Sequence, residues 1–436
     1  MIKSILFLFL FTSLSPIFPE EIIRGVRYLK SNGTFSEVSD LYITNGKLTK
    51  VIETKEKNSV RYVLPSFCDA YVTLGVEATG GQSNLNNIKL SLKSFLMHGF
   101  THIQSIADGP WIQSLKTDID SGKIIGPKIT IAKRPLIAKS AELKDVSELL
   151  YYSADNKESA LKEFQYQLTD SNKSIHIFNR FNEDSTFSFD SELLHQMRME
   201  AKDKNKLLTI HTYADRISIL DSLISGNRYL VHPISAEAQN EIAKQHIQEL
   251  NLIPLLNVYR NRQFDSSENG DGKLEFNTLK KKSKFFLDYY SNSFESSLRS
   301  DLEETEMLNR KTEYSSYLRF LEKNPILINK MILGSGSGNY LSFPGISGIQ
   351  ELKIFAKAFN SKEELFLIPT RNSCSYMGGE YNGELAVGRE ANLIVLKENP
   401  VQNIDTLFQI EQVFINGKPA ILNSMPTKKS PSKKKI

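Results

Sequence analysis

Three hydrophobic segments in the middle of the chain each carry a histidine at or near their carboxyl end. They read Ser174-Ile-His-Ile-Phe178, Leu207-Leu-Thr-Ile-His211 and Arg228-Tyr-Leu-Val-His232. Short apolar runs that alternate with helical patterns are typical of parallel strands. Because the carboxyl ends of the strands of a (β/α)₈ barrel meet at one face, we expect His176, His211 and His232 to converge there.

The remaining chain supports this architecture. From 63 to 382, strand-like runs alternate with amphipathic helix patterns, which predicts an α/β fold with a (β/α)₈ TIM barrel. Residues 21–62 and 383–423 read as short strands with turns, and we expect them to pair into a small composite β-sandwich. A polar stretch near 260–325 predicts a helical insertion over one face of the barrel.

The two ends of the chain predict segments outside the folded body. Residues 1–20 begin with a positively charged segment that is followed by a short apolar run, a pattern typical of a secretory signal peptide. The apolar run is too short to span a bilayer. We therefore expect an exported protein, periplasmic or secreted, that does not span a membrane after signal removal. Residues 424–436 are rich in lysine and predict a disordered basic tail.

Charge and cysteine content limit the partners and the covalent framework. A net charge of +4 over 436 residues is small and does not suggest a nucleic-acid partner. Cys68 and Cys374 are the only cysteines and lack the spacing of a zinc knuckle. Strand alternation directs Cys68 toward the helix layer, where Cys374 is also expected. A disulfide is therefore an option in an oxidising compartment, but we predict two buried free thiols.

Several motifs in the same order resemble those of the amidohydrolase superfamily, in particular its imidazolonepropionase-like and Xaa-Pro-dipeptidase-like branch. They are Val63-Leu-Pro-Ser-Phe-Cys-Asp-Ala-Tyr-Val-Thr-Leu-Gly75, His98-Gly-Phe-Thr-His-Ile103, Ile119-Asp-Ser-Gly-Lys-Ile-Ile-Gly-Pro-Lys-Ile129, Gly334-Ser-Gly-Ser-Gly338 and Gly388-Arg-Glu-Ala-Asn-Leu-Ile-Val-Leu396. The resemblance implies a metal-dependent hydrolase fold over nearly the whole chain after the signal segment.

The same resemblance implies a degenerate metal centre. In active members, two strand-1 histidines and a strand-8 aspartate hold one metal, and a strand-4 lysine bridges to a second metal held by histidines of strands 5 and 6. The ligand positions that differ in this chain are Tyr71 and Thr73 on strand 1, His176 on strand 4 and Gly336 on strand 8. Only His211 and His232 are retained as the family has them.

These replacements have unequal chemical consequences. A phenol and a hydroxyl are weak zinc ligands, and glycine cannot accept a proton from water, so we expect the first metal site and the usual base to be absent. Three histidines with an open fourth position nevertheless form a workable catalytic zinc site. His176, His211 and His232 are therefore candidate ligands for one zinc ion, and Asp69 and Asp108 are candidate auxiliary bases.

Three functions follow from this reading. The first is a catalytically impaired pseudoenzyme that binds a small molecule or peptide at the barrel mouth, which Thr73 and Gly336 would widen. The second is a mononuclear zinc hydrolase that cleaves C–N bonds through the three histidines. The third is an exported interaction protein that acts through its insertion or its tail. The first and third require no cofactor, and a homodimer is compatible with all three.

Overall fold

The computed structural model describes residues 20–55, 60–79, 82–139, 151–179, 185–245, 247–264, 270–283, 287, 290–291, 304–360, 363–379 and 381–420. The predicted signal peptide, apart from its last residue, and the predicted basic tail lie outside these ranges. None of the described helices combines the length and the apolar character that a membrane span requires.

The strands are β1 (Glu21–Tyr28), β2 (Ser39–Thr44), β3 (Lys47–Glu53), β4 (Arg61–Pro65), β5 (Phe67–Val72), β6 (Phe100–Ser105), β7 (Lys128–Ile131), β8 (Leu136–Ala138), β9 (Tyr152–Ala154), β10 (Ser174–Phe178), β11 (Leu207–His211), β12 (Tyr229–Val231), β13 (Asn251–Ile253), β14 (Leu393–Leu396), β15 (Gln412–Ile415) and β16 (Lys418–Pro419).

The α-helices are α1 (Leu85–Met97), α2 (Ile112–Asp120), α3 (Lys157–Leu168), α4 (Ser191–Asp203), α5 (Arg216–Ile224), α6 (Ala236–Gln245), α7 (Leu256–Asn261), α8 (Asp271–Lys282), α9 (Glu304–Lys323), α10 (Ile346–Ala358) and α11 (Ser373–Met377). Short helical turns of other types cover Pro325–Lys330, Glu363–Leu367, Ile368–Asn372 and Ile404–Phe408.

Two parallel sheets form the barrel wall. One has the order β13-β12-β11-β10-β8-β9, and the other has the order β5-β6-β7. Residues 331–337 join them, because the Ile332 amide donates to the Leu252 carbonyl at 2.8 Å and the Leu333 carbonyl accepts from the Ala70 amide at 2.8 Å. All six residues of β5 are buried, as expected of a strand covered on both faces. The predicted barrel fold is confirmed.

The two terminal segments share one sheet, as the sequence predicts. Its order is β16-β15-β14-β4-β1-β2-β3, so strands from both ends of the chain lie side by side. Antiparallel pairing of β4 with β14 places Tyr62 opposite Leu396. The hairpin turn between β2 and β3 has φ values of 52° at Asn45 and 79° at Gly46, the left-handed conformation that this dipeptide favours.

A disulfide joins Cys68 in β5 to Cys374 in α11. The prediction of two free thiols is therefore wrong, and the alternative of a disulfide is the observed state. The physical reason is proximity, since the two Cα atoms lie 5.3 Å apart, within the range that a disulfide can bridge. Both cysteines are buried between the first strand of the barrel and its last helix.

Replacement of both cysteines by alanine should lower the free energy of unfolding by about 2–5 kcal/mol, because the bond closes a very long loop in the unfolded chain. The loop spans a sequence separation of 306 residues. Urea denaturation without reductant measures the difference. Wild-type protein that is unfolded, reduced and refolded in dithiothreitol is the control and should match the variant. Equal midpoints for the oxidised wild type and the variant would contradict this prediction.

Candidate functional site

The structure brings the three predicted histidines together at one end of the barrel. His176 lies in the middle of β10, His211 is the last residue of β11, and His232 directly follows β12. The ring centroids of His176 and His211 are 5.2 Å apart, and those of His211 and His232 are 5.6 Å apart. All three side chains are buried.

Hydrogen bonds distinguish these histidines from one another. Nδ1 of His176 lies 2.9 Å from Nε2 of His211, so one of the two nitrogens donates a proton to the other. Nε2 of His176 lies 3.1 Å from the Ser174 hydroxyl and 3.3 Å from Nε2 of Gln104. Nδ1 of His211 and Nε2 of His232 are buried and have no hydrogen-bond partner among the described residues.

Burial keeps the three imidazoles neutral. It lowers the pKa of His176 and of His232 to about 3, and the positive charge of Arg262 adds to the effect at His232. Burial also lowers the pKa of His211 well below its ordinary value, with smaller contributions from the two flanking histidines. Near neutral pH each ring therefore has one donor nitrogen and one acceptor nitrogen.

Tyr71 and Thr73 are held in roles other than metal ligation. Tyr71 is buried in β5 with its ring centroid 5.5 Å from that of His211. Burial raises the pKa of the Tyr71 phenol well above its ordinary value, so the phenolate form is strongly disfavoured. The Thr73 hydroxyl donates to the Ile106 carbonyl at 3.0 Å and is therefore already engaged by the backbone.

Gly336 occupies a position that has no room for a side chain. Its φ is 63°, and a Cβ atom built there would lie 2.3 Å from Cγ2 of Val258. Such a contact would force Val258 to move, so an aspartate cannot be accommodated by this backbone as it stands. The expectation that Gly336 widens the pocket is wrong at this position, because Val258 of α7 fills the space.

Asp69 and Asp108 both hold backbone amides at the barrel mouth. Oδ1 of Asp69 accepts from the amides of Tyr71 at 3.2 Å and Ser335 at 2.9 Å. Burial raises the pKa of Asp69 to about 7, and its Oδ2 has no partner among the described residues. Asp108 accepts from the amides that follow Thr73, at 3.0 and 2.7 Å, and from the Ser105 hydroxyl. Their use as bases stays a prediction.

Sequence reasoning missed an aromatic arc, which we define as Tyr151, Phe178, Tyr213 and Tyr259 around His232. Successive ring centroids are 5.2 Å apart for Tyr151 and Phe178, and 5.7 Å apart for Phe178 and Tyr213. Tyr213 stacks on His232 at a centroid distance of 4.4 Å, and the Tyr259 ring lies 5.9 Å from His232 in an edge-to-face arrangement. One available signal was that Phe178 and Tyr213 lie at or just beyond the ends of strands.

A cation lies beside the aromatic arc. The Arg262 guanidinium carbon is 5.4 Å from the centroid of the Tyr259 ring. Its charge also lowers the pKa of His232 and acts on the phenols of Tyr71 and Tyr213, so its field reaches the centre of the mouth. Arg262 directly follows α7, and the sequence analysis did not single it out.

The backbone at the mouth is strained. Ala107, Tyr213, His232 and Leu255 have φ values of 58°, 51°, 80° and 53°. Each lies one or two residues beyond the end of a barrel strand. A residue with a side chain in this conformation costs about 1–3 kcal/mol, and such residues cluster at functional sites. The strain therefore supports this end of the barrel as the candidate site.

Helix α7 is held by a buried carboxylate from the outer layer. The two carboxylate oxygens of Glu351 in α10 accept from the amides of Leu256 at 2.8 Å and Asn257 at 2.5 Å. The oxygens of a carboxyl group at the amino end of a helix satisfy its free amides. Helix α7 carries Val258, which fills the space beside Gly336, and Tyr259, which belongs to the aromatic arc. By holding α7, Glu351 positions both side chains.

The described residues do not complete a zinc site as they stand. A catalytic zinc needs three protein ligands and an open position. Both ring nitrogens of His176 are in hydrogen bonds, which leaves one nitrogen of His211 and one of His232. Within the described ranges, no group of three or more His, Cys, Asp or Glu side chains is placed to hold a metal ion. The three-histidine centre stays a prediction.

Comparison with known proteins identifies the class. The profile of the amidohydrolase family matches residues 62–420, and the chain therefore belongs to that family. Members of this superfamily typically bind metal. No curated protein matches the chain at the level of sequence.

Solved structures agree on the fold. A candidate prolidase from Bifidobacterium longum is 18% identical, with a TM-score of 0.67 over 93% of this chain and 95% of the other. A Xaa-Pro dipeptidase with bound methionine is 15% identical, with a TM-score of 0.66 over 92% of this chain and 100% of the other. The ochratoxinase of A. niger is 16% identical, with a TM-score of 0.66 over 92% of this chain and 95% of the other.

The depressed histidine pKa values predict acid sensitivity. Unfolded histidines have a pKa of about 6.5, so below that pH the unfolded chain binds protons that the folded chain excludes. The contribution of these groups to the free energy of unfolding is fully present above pH 6.5 and falls as the pH drops toward 4. Urea denaturation between pH 7 and 4.5 measures this slope.

The variant His176→Gln should show a shallower slope than the wild type, since one buried neutral imidazole is removed. Gln196→Ala, at an exposed position of α4, removes no titrating group; it is the control and should keep the wild-type slope. Asp69, whose pKa is raised, acts in the opposite direction, but it is common to all three proteins. An unchanged slope in His176→Gln would refute the assignment of His176 as a buried neutral group.

Proposed function

We propose that this protein is an exported, catalytically impaired member of the amidohydrolase superfamily that binds a small molecule or peptide at the barrel mouth. The closure of position 336 by Val258 is the observation that carries this proposal. The resemblance equates position 336 with the aspartate that is both a metal ligand and the general base. Without a side chain there, the usual hydrolytic mechanism lacks the group that takes a proton from water.

Three neighbouring side chains, those of Tyr71, Thr73 and Asp108, are poorly suited to replace that group. The Tyr71 phenol stays neutral because it is buried, and the Thr73 hydroxyl is bound to the Ile106 carbonyl. Asp108 uses both oxygens to hold backbone amides, so a role as base would compete with its role in the loop. These contacts stabilise the mouth and support binding more than turnover.

The surroundings favour an apolar or aromatic ligand that carries an anionic group. The aromatic arc offers ring faces and phenol groups to a ligand, and such surfaces bind with large buried area and little loss of side-chain entropy. The positive field of Arg262 favours a carboxylate, while the neutral histidines add donors and acceptors without charge. A short peptide with an apolar side chain and a free carboxyl end has this chemistry.

Titration calorimetry of the full chain with a panel of Xaa-Pro dipeptides tests this function. We expect saturable binding, and Tyr213→Ala should weaken it by about tenfold or more because the ring stacked on His232 is lost. Tyr166→Ala on α3 is the matched control, since its side chain is 58% exposed and its ring contacts Lys133, which is outside the aromatic arc. If the protein does not cleave the dipeptides, the concentration of free proline in the same samples should not exceed the concentration in a protein-free sample. Proline release that scales with protein concentration and disappears in His211→Ala would overturn the loss of catalysis.

A mononuclear zinc hydrolase is the second candidate. The buried nitrogens of His211 and His232 without partners favour it, since imidazole nitrogens of this kind are suited to zinc. Metal ligation by Nδ1 of His211 would require its proton on Nε2, donated to Nδ1 of His176.

Elemental analysis of the purified full chain after incubation with zinc decides between the two candidates. The binding function predicts much less than one zinc per chain. About one zinc, lost in His211→Ala/His232→Ala and in His176→Ala, would establish the three-histidine centre instead. Zinc that is lost in the double variant but retained in His176→Ala would place His176 as a support for His211.

A further inference from the structure

A basic cavity lies on the barrel face opposite the histidines. Lys173 directly precedes β10, and Lys206 directly precedes β11, so both lie at the amino ends of these strands. The cavity between them has a volume of about 670 Å³ and is also lined by Lys204 and by the chain that follows α11. Because the strands are parallel, this face is separated from His211 by the length of the barrel wall.

The charge of this cavity is unbalanced. Of the described residues that line it, Asp170 alone is acidic, and its Oδ2 lies 2.8 Å from Nζ of Lys133, which neutralises it. No carboxylate of the described residues lies within 4 Å of the ammonium groups of Lys173, Lys204 or Lys206. Three lysines therefore face one space without an acidic partner in that part of the chain.

Two of these lysines are fixed by the backbone. Nζ of Lys206 donates to the carbonyls of Asp170 and Asn172, and Nζ of Lys173 donates to the Ser375 carbonyl at 3.1 Å. An ammonium group has three donors, so these contacts use two donors of Lys206 and one of Lys173. The carbonyls hold the charges in place at the cavity without neutralising them.

A second cavity of about 350 Å³ adjoins the first and shares Lys173 and Ser375 with it. It adds Lys330 and Arg371, and no acidic residue is among those that line it. The described residues that line the two cavities include five cations and one neutralised carboxylate. The side-chain amides of Asn172, Asn205, Asn251, Asn372 and Asn382 also line them.

We propose that the two adjoining cavities form a binding site for a small molecule that carries a phosphate or diphosphate group. Several fixed cations and amide donors around a polar space suit the many acceptor oxygens and the multiple charge of such a group. The volume suits a soluble ligand of metabolite size. Since active sites of this fold lie at the other face, this is a second site, independent of the aromatic arc.

Titration calorimetry of the full chain with inorganic pyrophosphate tests the proposal. We expect saturable binding that weakens with rising ionic strength. Lys204→Met should weaken it by about fivefold to tenfold, and Lys173→Met/Lys204→Met should weaken it further. Lys202→Met is the matched control, because it removes the same charge from the exposed end of α4 but does not line the cavity.

Three outcomes would overturn the site. The first is the absence of measurable pyrophosphate binding. The second is equal weakening of binding in Lys202→Met and Lys204→Met, which would indicate diffuse charge attraction. The third is binding to phosphatidic acid vesicles without binding to pyrophosphate. Circular dichroism of each variant separates lost binding from lost folding. Tyr213→Ala should leave pyrophosphate binding unchanged, so this result is independent of the function proposed for the barrel mouth.

Discussion

The closure of the barrel between β5 and residues 331–337 is the contact on which the site depends. The Gly336 amide donates to the Tyr71 carbonyl at 3.0 Å, and the Thr73 amide donates to the Ser337 carbonyl at 2.9 Å. Asp69 ties the same two segments together from its buried position. The three positions that the resemblance equates with metal ligands of strands 1 and 8, Tyr71, Thr73 and Gly336, lie in this seam. Val258 fills the space beside Gly336, so the packing at the seam limits which side chains that position can hold.

Much of the fold could be predicted because its signals are local. Motif order predicted the barrel, the strand-and-turn pattern of the two terminal segments predicted that they would pair, and the positions of histidines at or near strand ends predicted that they would meet. Strand direction alone determines that the carboxyl ends of parallel strands share a face. For that reason the convergence of His176, His211 and His232 needed no knowledge of side-chain packing.

The features that could not be predicted depend on contacts between distant parts of the chain. The choice between thiols and a disulfide was decided by a distance across the helix layer, between residues far apart in sequence. Strand alternation does not indicate that His176 uses both nitrogens on its neighbours. The positive φ of His232 could not be predicted from the sequence, because residues other than glycine adopt this conformation only rarely. The prediction that Gly336 widens the pocket was wrong because a glycine leaves space only if no neighbouring side chain fills it, and Val258 does.

The position of the disulfide has a mechanical consequence. Every residue discussed at the barrel mouth lies between Cys68 and Cys374, inside the covalent loop that this bond closes. Tension applied to the two ends of the folded chain would pass from β4 through the disulfide to the strands after α11. The antiparallel pairing of β4 with β14 would break one residue pair at a time, starting with Tyr62 and Leu396. The backbone of the barrel between the two cysteines would not carry that load, so the barrel mouth is shielded from force on either end of the chain.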